Sequence, residues 1–154
     1  MSVITATAPY DWQAVLTLLH KAFAYMEPRI DPPSSLHRLT TQQIKNHATQ
    51  HRLLTIEQAN RPVACLFLTF QPDHLYLGKL ATHPDHTGQG HARALVAQAE
   101  RIATQNALSK LRLETRIELS ENHATFARLG FIKTAETAHA GFSRPTSITM
   151  EKPL

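Results

Sequence analysis

The sequence predicts a mixed α/β fold with one central sheet. Three observations carry that prediction. Short runs alternate apolar and polar residues at the two-residue period of strands, other segments repeat apolar residues at the three-and-four spacing of helices, and turn residues separate them at short intervals. The chain has 154 residues, 42% hydrophobic and 18% charged. A chain of that length buries roughly 70% of the surface its unfolded form exposes, so a single domain over 1–154 is expected. A net charge of +4 is too small for a disordered chain, and nine prolines beside five glycines exclude collagen-like repeats.

The first strand is expected over 2–8, where Val3 and Thr5 alternate with Ile4 and Ala6, and Pro9-Tyr10-Asp11 supplies a turn and a helix cap. From Asp11, the residues Trp12, Val15, Leu16, Leu19, Ala22 and Phe23 form one helical face, which should end near Tyr25 because Pro28 resists continuation. Pro28, Pro32 and Pro33 make 27–35 an irregular, stiffened loop of the kind that shapes pockets. Thr40 or Thr41 caps a short helix to about His51. Strands over 52–57 and 63–70 then flank the turn Ala59-Asn60-Arg61-Pro62 as a hairpin.

Gln71-Pro72-Asp73 turns the chain into a strand over 74–82, whose hydrophobic phase changes around Gly78-Lys79, a signal of a bulge or bend. After Pro84-Asp85 and a glycine loop comes the clearest helix, marked by Ala92, Leu95, Val96, Ala99, Ile102 and Ala103. A strand over 111–117 leads to a helix starting at Ser120-Glu121-Asn122 and stopping at Leu129-Gly130, where glycine suits a left-handed cap. Strands over 131–137 and 147–152 complete the order, with no internal repeat.

Several function classes lose support at once. The longest apolar run, 63–70, is far short of the roughly 20 residues a membrane helix needs, and the start Met-Ser-Val-Ile-Thr lacks a signal peptide's basic flank, so a cytoplasmic protein without membrane partners is expected. Cys65 is the sole cysteine and lies in an apolar run, which suits a buried structural thiol. Lysines and arginines are scattered rather than clustered, so no nucleic-acid partner is expected despite a sequence pI near 9.5. Among ten histidines, His47 with His51 and His83 with His86 have ligand-like spacings but no evident third ligand, so no metal is expected.

The loop Thr87-Gly88-Gln89-Gly90-His91-Ala92 falls between a predicted strand and the best predicted helix. Glycines there let successive N–H groups turn toward one anion, while the helix dipole favours negative charge at the same point. A pyrophosphate fits such a cradle; Gly-x-Gly alone equally suits a tight turn without a ligand. No Lys-Ser/Thr pair follows as a nucleotide-triphosphate loop requires, and no acidic residue stands in the strand context of a dinucleotide fold.

The stretch from Leu80 to Leu95, with Ala81, Thr82, His83-Pro84 and Thr87 to Ala92, resembles the acetyl-CoA motif of the GNAT superfamily of acyl-CoA-dependent N-acetyltransferases, and Asn122 to Phe131 is similar to a second block of that family. The resemblance implies a GNAT-like fold, with helices on both faces of a mixed sheet that splays between its fourth and fifth strands near 78–82 and 111–115. It implies acetyl-CoA as co-substrate, with pantetheine against the backbone of Leu80, Ala81 and Thr82. The amides of Gly88, Gln89, Gly90, His91 and Ala92 would then hold the pyrophosphate, Arg93 would meet a phosphate, and Asn122 and Phe126 would border the pantetheine arm. Arg93 equally suits a solvated helix face. The chain departs from the family pattern at Thr87, usually Gln or Arg, and at Phe126, where many members carry the tyrosine that protonates the departing thiolate.

The implied reaction is direct attack of a primary amine on the thioester in a ternary complex, polarised by a backbone N–H near Leu80. Tyr76 and Glu114, on strands bracketing the thioester, are the candidates for the general base, although each also suits a structural role, and water or another side chain is left to protonate the thiolate. The acceptor pocket is expected from 25–38 and 140–145, with Glu27 attracting an amine and Arg29, His37, Arg38 or Arg144 an acidic group. A catalytically silent acyl-CoA-binding module is the alternative function, and the sequence is compatible with a monomer or a homodimer.

Overall fold

A computed structural model describes residues 2–154. The strands are β1 (Val3–Thr5), β2 (Arg52–Gln58), β3 (Arg61–Phe70), β4 (Leu75–Thr82), β5 (Lys110–Arg116), β6 (Ile132–Thr137) and β7 (Ser147–Pro153). The helices are α1 (Trp12–Phe23), α2 (Thr41–Gln50), α3 (His91–Gln105) and α4 (Ser120–Arg128). The seven strands form one sheet in the order β1-β2-β3-β4-β5-β7-β6, antiparallel throughout except for the parallel pair β4 and β5. The parallel pair is forced by α3, which carries the chain back across one face before β5 begins.

The two faces hold separate apolar layers. Leu95, Val96, Ala99 and Ile102 of α3 pack with Leu75, Leu77, Leu111 and Leu113, whereas Val15, Leu18 and Leu19 of α1 and Ile44 of α2 pack on Leu53, Cys65, Phe67 and Ala81. Each helix buries one stripe, as its three-and-four spacing dictates. Asp11 caps α1 by accepting the Ala14 N–H at 3.0 Å, and Thr40 caps α2 in a reciprocal box with Gln43.

Four boundaries differ from the sequence expectation. β1 pairs only over Val3–Thr5, because Ala6 already turns its N–H to the Leu53 carbonyl. Helix α1 ends at Phe23, and a short 3-10 turn covers Ala24–Met26; a second such turn, Ser35–Arg38, stands inside the proline-rich loop. The β2–β3 turn is only Ala59-Asn60, both at positive φ (52° and 63°), while Arg61 and Pro62 pair as strand. Two consecutive left-handed residues close a two-residue hairpin, and a register shift after Ile56 tolerates Pro62. The last difference concerns the parting of the sheet, which begins later along β5 than expected.

That parting positions the site. β4 and β5 pair only at Leu75–Leu111, Tyr76–Arg112 and Leu77–Leu113, although β4 runs on to Thr82 and β5 to Arg116. The cause lies in β4. Gly78 pairs with Phe67 and Ala81 with Cys65, so Lys79 and Leu80 together oppose Leu66 alone, and Lys79 sits at φ 48°. A two-for-one bulge bends its strand and strengthens the local twist, which swings the end of β4 away from β5. The open wedge therefore starts at Gly78 and Glu114, and Leu111 to Leu113 lie in the paired part.

Candidate functional site

Two cavities meet in the wedge. The larger, about 730 Å3, is lined by Leu80, Ala81 and Thr82 on β4, by Thr87, Gly88, Gly90, His91, Ala92 and Arg93 at the α3 entrance, and by Asn122 and Phe126 on α4. The smaller, about 290 Å3, is lined by Tyr76 on β4 and Glu114 on β5, and it shares Leu80, Asn122, Phe126 and Phe23 with the first. The fold thus brings thirteen of the fourteen sequence-predicted site residues to one continuous hollow. The exception is Gln89, whose side-chain carbonyl accepts from Gln58 and faces the His91 ring at 3.1 Å on the other side of the loop.

The α3 entrance is built for an anion. Gly88 and Gly90 adopt φ of 74° and 82°, left-handed values that a side chain disfavours, and Gly90 caps the helix with no side-chain oxygen. The first intrahelical bond runs from the Ala94 N–H to the Gly90 carbonyl, so the amides of Gly90, His91, Ala92 and Arg93, residues that line the large cavity, have no intrahelical acceptor. A Cβ on Gly88 would meet nothing within 4 Å, so its glycine answers to backbone conformation rather than to crowding. Around this entrance the ring nitrogens Nδ1 of His86 and His91 are buried and unpartnered, and burial together with His86 lowers the His91 pKa. Arg93 is exposed at the rim.

In the smaller cavity, burial and then the charge of Glu114 push the Tyr76 phenol up to about 12. Tyr76 is therefore protonated at neutral pH and is a donor, not a base. Glu114 is exposed to the cavity. Phe126 lies at the junction of the two hollows, packed edge-to-face on Phe131 with centroids 6.0 Å apart.

The segment after α1 forms the roof. Asn122 donates to the Tyr25 hydroxyl at 3.1 Å, Arg29 pairs with Glu121, the Asp31 N–H donates to Glu118, and Arg116 donates to the Pro32 and Pro33 carbonyls at 2.6 and 3.3 Å. These contacts change the expected acceptor groups. Glu27 is taken by His37, Arg29 by Glu121 and Arg144 by Asp31, while Arg38 lines an adjoining hollow that shares Ser35 and Lys79 with the small cavity. The small cavity instead uses Met26, Ser34, Ser35 and Leu36 of the expected segment, and His139 and Ser147 rather than the loop 140–145. Sequence reasoning missed His86, read as a mere flank of the turn, and Lys79, which lines the small cavity. The phase change at Gly78-Lys79 was the available signal for the latter.

The paired histidines have structural partners. His47 bonds the Leu68 carbonyl at 2.9 Å and the His51 ring accepts the Phe70 N–H at 3.2 Å, tying the end of α2 to β3. Among the described residues no group of three or more His, Cys, Asp or Glu side chains could hold a metal ion. Cys65 is fully buried, and burial raises its thiol to about 12.

A family model for the acetyltransferase (GNAT) family matches residues 12–131. No curated protein is significantly similar in sequence. Among solved structures, a Klebsiella pneumoniae protein described as an acyl-CoA N-acyltransferase is 26% identical, with a TM-score of 0.71, covering 99% of this chain and 97% of that one. The PaiA N-acetyltransferase from Thermoplasma acidophilum, solved in complex with coenzyme A, is 14% identical with a TM-score of 0.79 over the whole of both chains. A family acetyltransferase from Elizabethkingia anophelis with acetyl-CoA bound is 16% identical, with a TM-score of 0.70, covering 99% of this chain and 97% of that one.

Proposed function

We propose, on the premise that this chain belongs to the acetyltransferase (GNAT) family, that it is an amine N-acetyltransferase: it moves an acetyl group from acetyl-CoA to a primary amine by direct attack in a ternary complex. One observation carries the reading. The uncapped, glycine-turned start of α3 and the bulged end of β4 open onto the same cavity, so an anion cradle and a slot of free strand backbone face one ligand. That ligand class is a diphosphate carrying an extended polar arm.

Acetyl-CoA would supply an activated acyl group with a good leaving thiol. The amides of Gly88, Gln89, Gly90, His91 and Ala92 hold the diphosphate, and Arg93 adds charge at the rim. Gln89 takes part through its backbone only, since its side chain turns away. The strand backbone of Leu80, Ala81 and Thr82 receives the pantetheine amides, and Asn122 and Phe126 close its other side. The bulge leaves N–H groups of β4 free of a strand partner, and one at or near Leu80 polarises the thioester carbonyl.

Glu114 accepts the proton of the incoming ammonium, which must be neutral to attack. Tyr76, a protonated phenol, donates toward the leaving sulfur, a role closed to Phe126, and regains its proton from the amine nitrogen as the tetrahedral intermediate collapses. The same reading assigns the chain to the cytoplasm, where a lone buried cysteine stays reduced.

Thiol release from acetyl-CoA with a panel of primary amines tests the proposal, and turnover with at least one amine is expected. Phe126 in place of the family tyrosine favours a second reading, a silent acyl-CoA-binding module. Tight acetyl-CoA binding with no thiol release across the panel would establish that reading instead.

A further inference from the structure

The small cavity carries charge of both signs that nothing in the fold neutralises. Its formally charged lining side chains are Lys79, Glu114 and Arg116. Arg116 is spent, because its two terminal nitrogens donate to the Pro32 and Pro33 carbonyls and hold the roof. Lys79 and Glu114 form no ion pair with each other or with any other described residue, and their ammonium and carboxylate make no side-chain hydrogen bond among the described residues. The other cation on that face of β5, Arg112, is already paired with Glu151 at 2.7 Å.

Lys79 stands where the fold has gone to some cost to put it. The bulge gives it a left-handed φ of 48° and turns its side chain onto the face that carries Phe67, where it stands at the junction of the small cavity with the adjoining hollow of Arg38, His47 and Phe67, its ammonium 5.6 Å from the Phe67 centroid. This half-withdrawn lysine has an aromatic face beside it but no counter-charge, which leaves it open to an anion, and burial draws its pKa down. Glu114 comes from the opposite wall, across the parting between β4 and β5. The cavity that both residues line is about 290 Å3, at the low end for small-molecule sites, and its remaining walls include Phe23, Met26, Leu36 and Leu119.

We propose that the acceptor is a small aminocarboxylic acid with an apolar body, its amine directed to Glu114 and its carboxylate bound by Lys79. This rests on the reading of the small cavity as the acceptor site of an amine acetyltransferase. Lys79 is then a specificity-determining residue, and the cavity is dipolar because its ligand is a zwitterion.

The test uses matched acceptors: methionine, leucine and phenylalanine, each against the amine that lacks only its carboxylate, with thiol release from acetyl-CoA as readout. At least one amino acid is expected to exceed its decarboxylated partner roughly tenfold or more in kcat/KM, the worth of one charged hydrogen bond. Lys79→Met should erase the preference by raising KM for the amino acid, with kcat and acetyl-CoA affinity little changed, while Lys79→Arg keeps it. Thiol release with equal or better use of the decarboxylated amines would overturn the proposal while leaving amine acetylation standing. A preference that survives in Lys79→Met with normal acetyl-CoA affinity would also overturn it. Absence of thiol release with every amine would remove the parent reading and this one together.

Discussion

Leu77 and Leu113 are the last paired residues of the two parallel strands, and from the next position the strands diverge. Both leucines are buried under α3, so the sheet is closed and dry up to this point and opens immediately beyond it. The bulge at Lys79 and Leu80 is what converts a continuous sheet into a wedge. Ligand binding and chemistry on this chain follow from where that bulge falls: one residue after Gly78, level with the start of α3 on one side and Glu114 on the other.

Gly90→Val places a β-branched side chain at φ 82°. A left-handed conformation costs such a residue about 1–2 kcal/mol or more, and the strain is relieved by rotating the loop amides away from the cavity. Acetyl-CoA affinity, measured by calorimetry, should fall about tenfold or more, with the far-ultraviolet spectrum of the fold retained. Unchanged affinity would remove the loop amides from the binding site.

Tyr76→Phe should lower kcat by about 10²-fold, a typical contribution of a positioned proton donor, without weakening acetyl-CoA binding. Phe126→Tyr in that background restores part of the loss, because the new hydroxyl enters the junction of the two cavities. Phe126→Tyr alone changes kcat little, since Tyr76 already supplies the proton. Single-turnover kinetics on the three variants check all three expectations, and a Tyr76→Phe enzyme of normal kcat would refute them.

Stability should fall at alkaline pH. Burial raises the Cys65 thiol from an ordinary 9.0 and the Tyr76 phenol from an ordinary 10.0, each to about 12, and raises Tyr10 as well. A group that holds its proton more tightly in the fold contributes stability that is complete below its unfolded value and is lost as pH climbs through the folded one. The fully buried Cys65 removes about 1.4 kcal/mol per pH unit in that window, and the partly exposed tyrosines remove less. Urea midpoints measured from pH 8 to 11 should fall progressively. Cys65→Ala should start lower, from the methyl-sized cavity it leaves, and decline less steeply above pH 9. Parallel declines in the two proteins would contradict the assignment.

Arg29→Ala releases one tie of the roof to α4 and leaves Glu121, now held near 2 by that arginine, at an ordinary carboxylate value. The pair is at the surface, so global stability should change little. Amide exchange in the roof segment 25–33 should nevertheless accelerate relative to the sheet. Equal exchange in the variant and the parent would show that the Arg116 and Asn122 contacts suffice.

How far the sequence foretold the site differed by physical cause. The cradle and the bulge were legible because glycine spacing and a break in hydrophobic phase are local signals, read from Gly88, Gly90 and Gly78-Lys79 without tertiary information. The hairpin turn was misplaced because Ala59, unlike glycine, gives no hint that it will take φ 52°. Two expected acceptor groups were spoken for elsewhere, because Arg29 and Arg144 find partners 92 and 113 residues away, pairings that no spacing encodes. Of the two cations that line the small cavity among the described residues, Arg116 is held by the Pro32 and Pro33 carbonyls and Lys79 is left without an ion pair, which no local signal foretold.

A crystal structure of the protein soaked with acetyl-CoA tests the central claim most directly. The diphosphate should lie within hydrogen-bonding distance of the amides between Gly88 and Ala92, with the pantetheine arm running along Leu80 to Thr82 toward Tyr76. Density for the diphosphate at any other surface, with the start of α3 solvent-filled, would contradict the account.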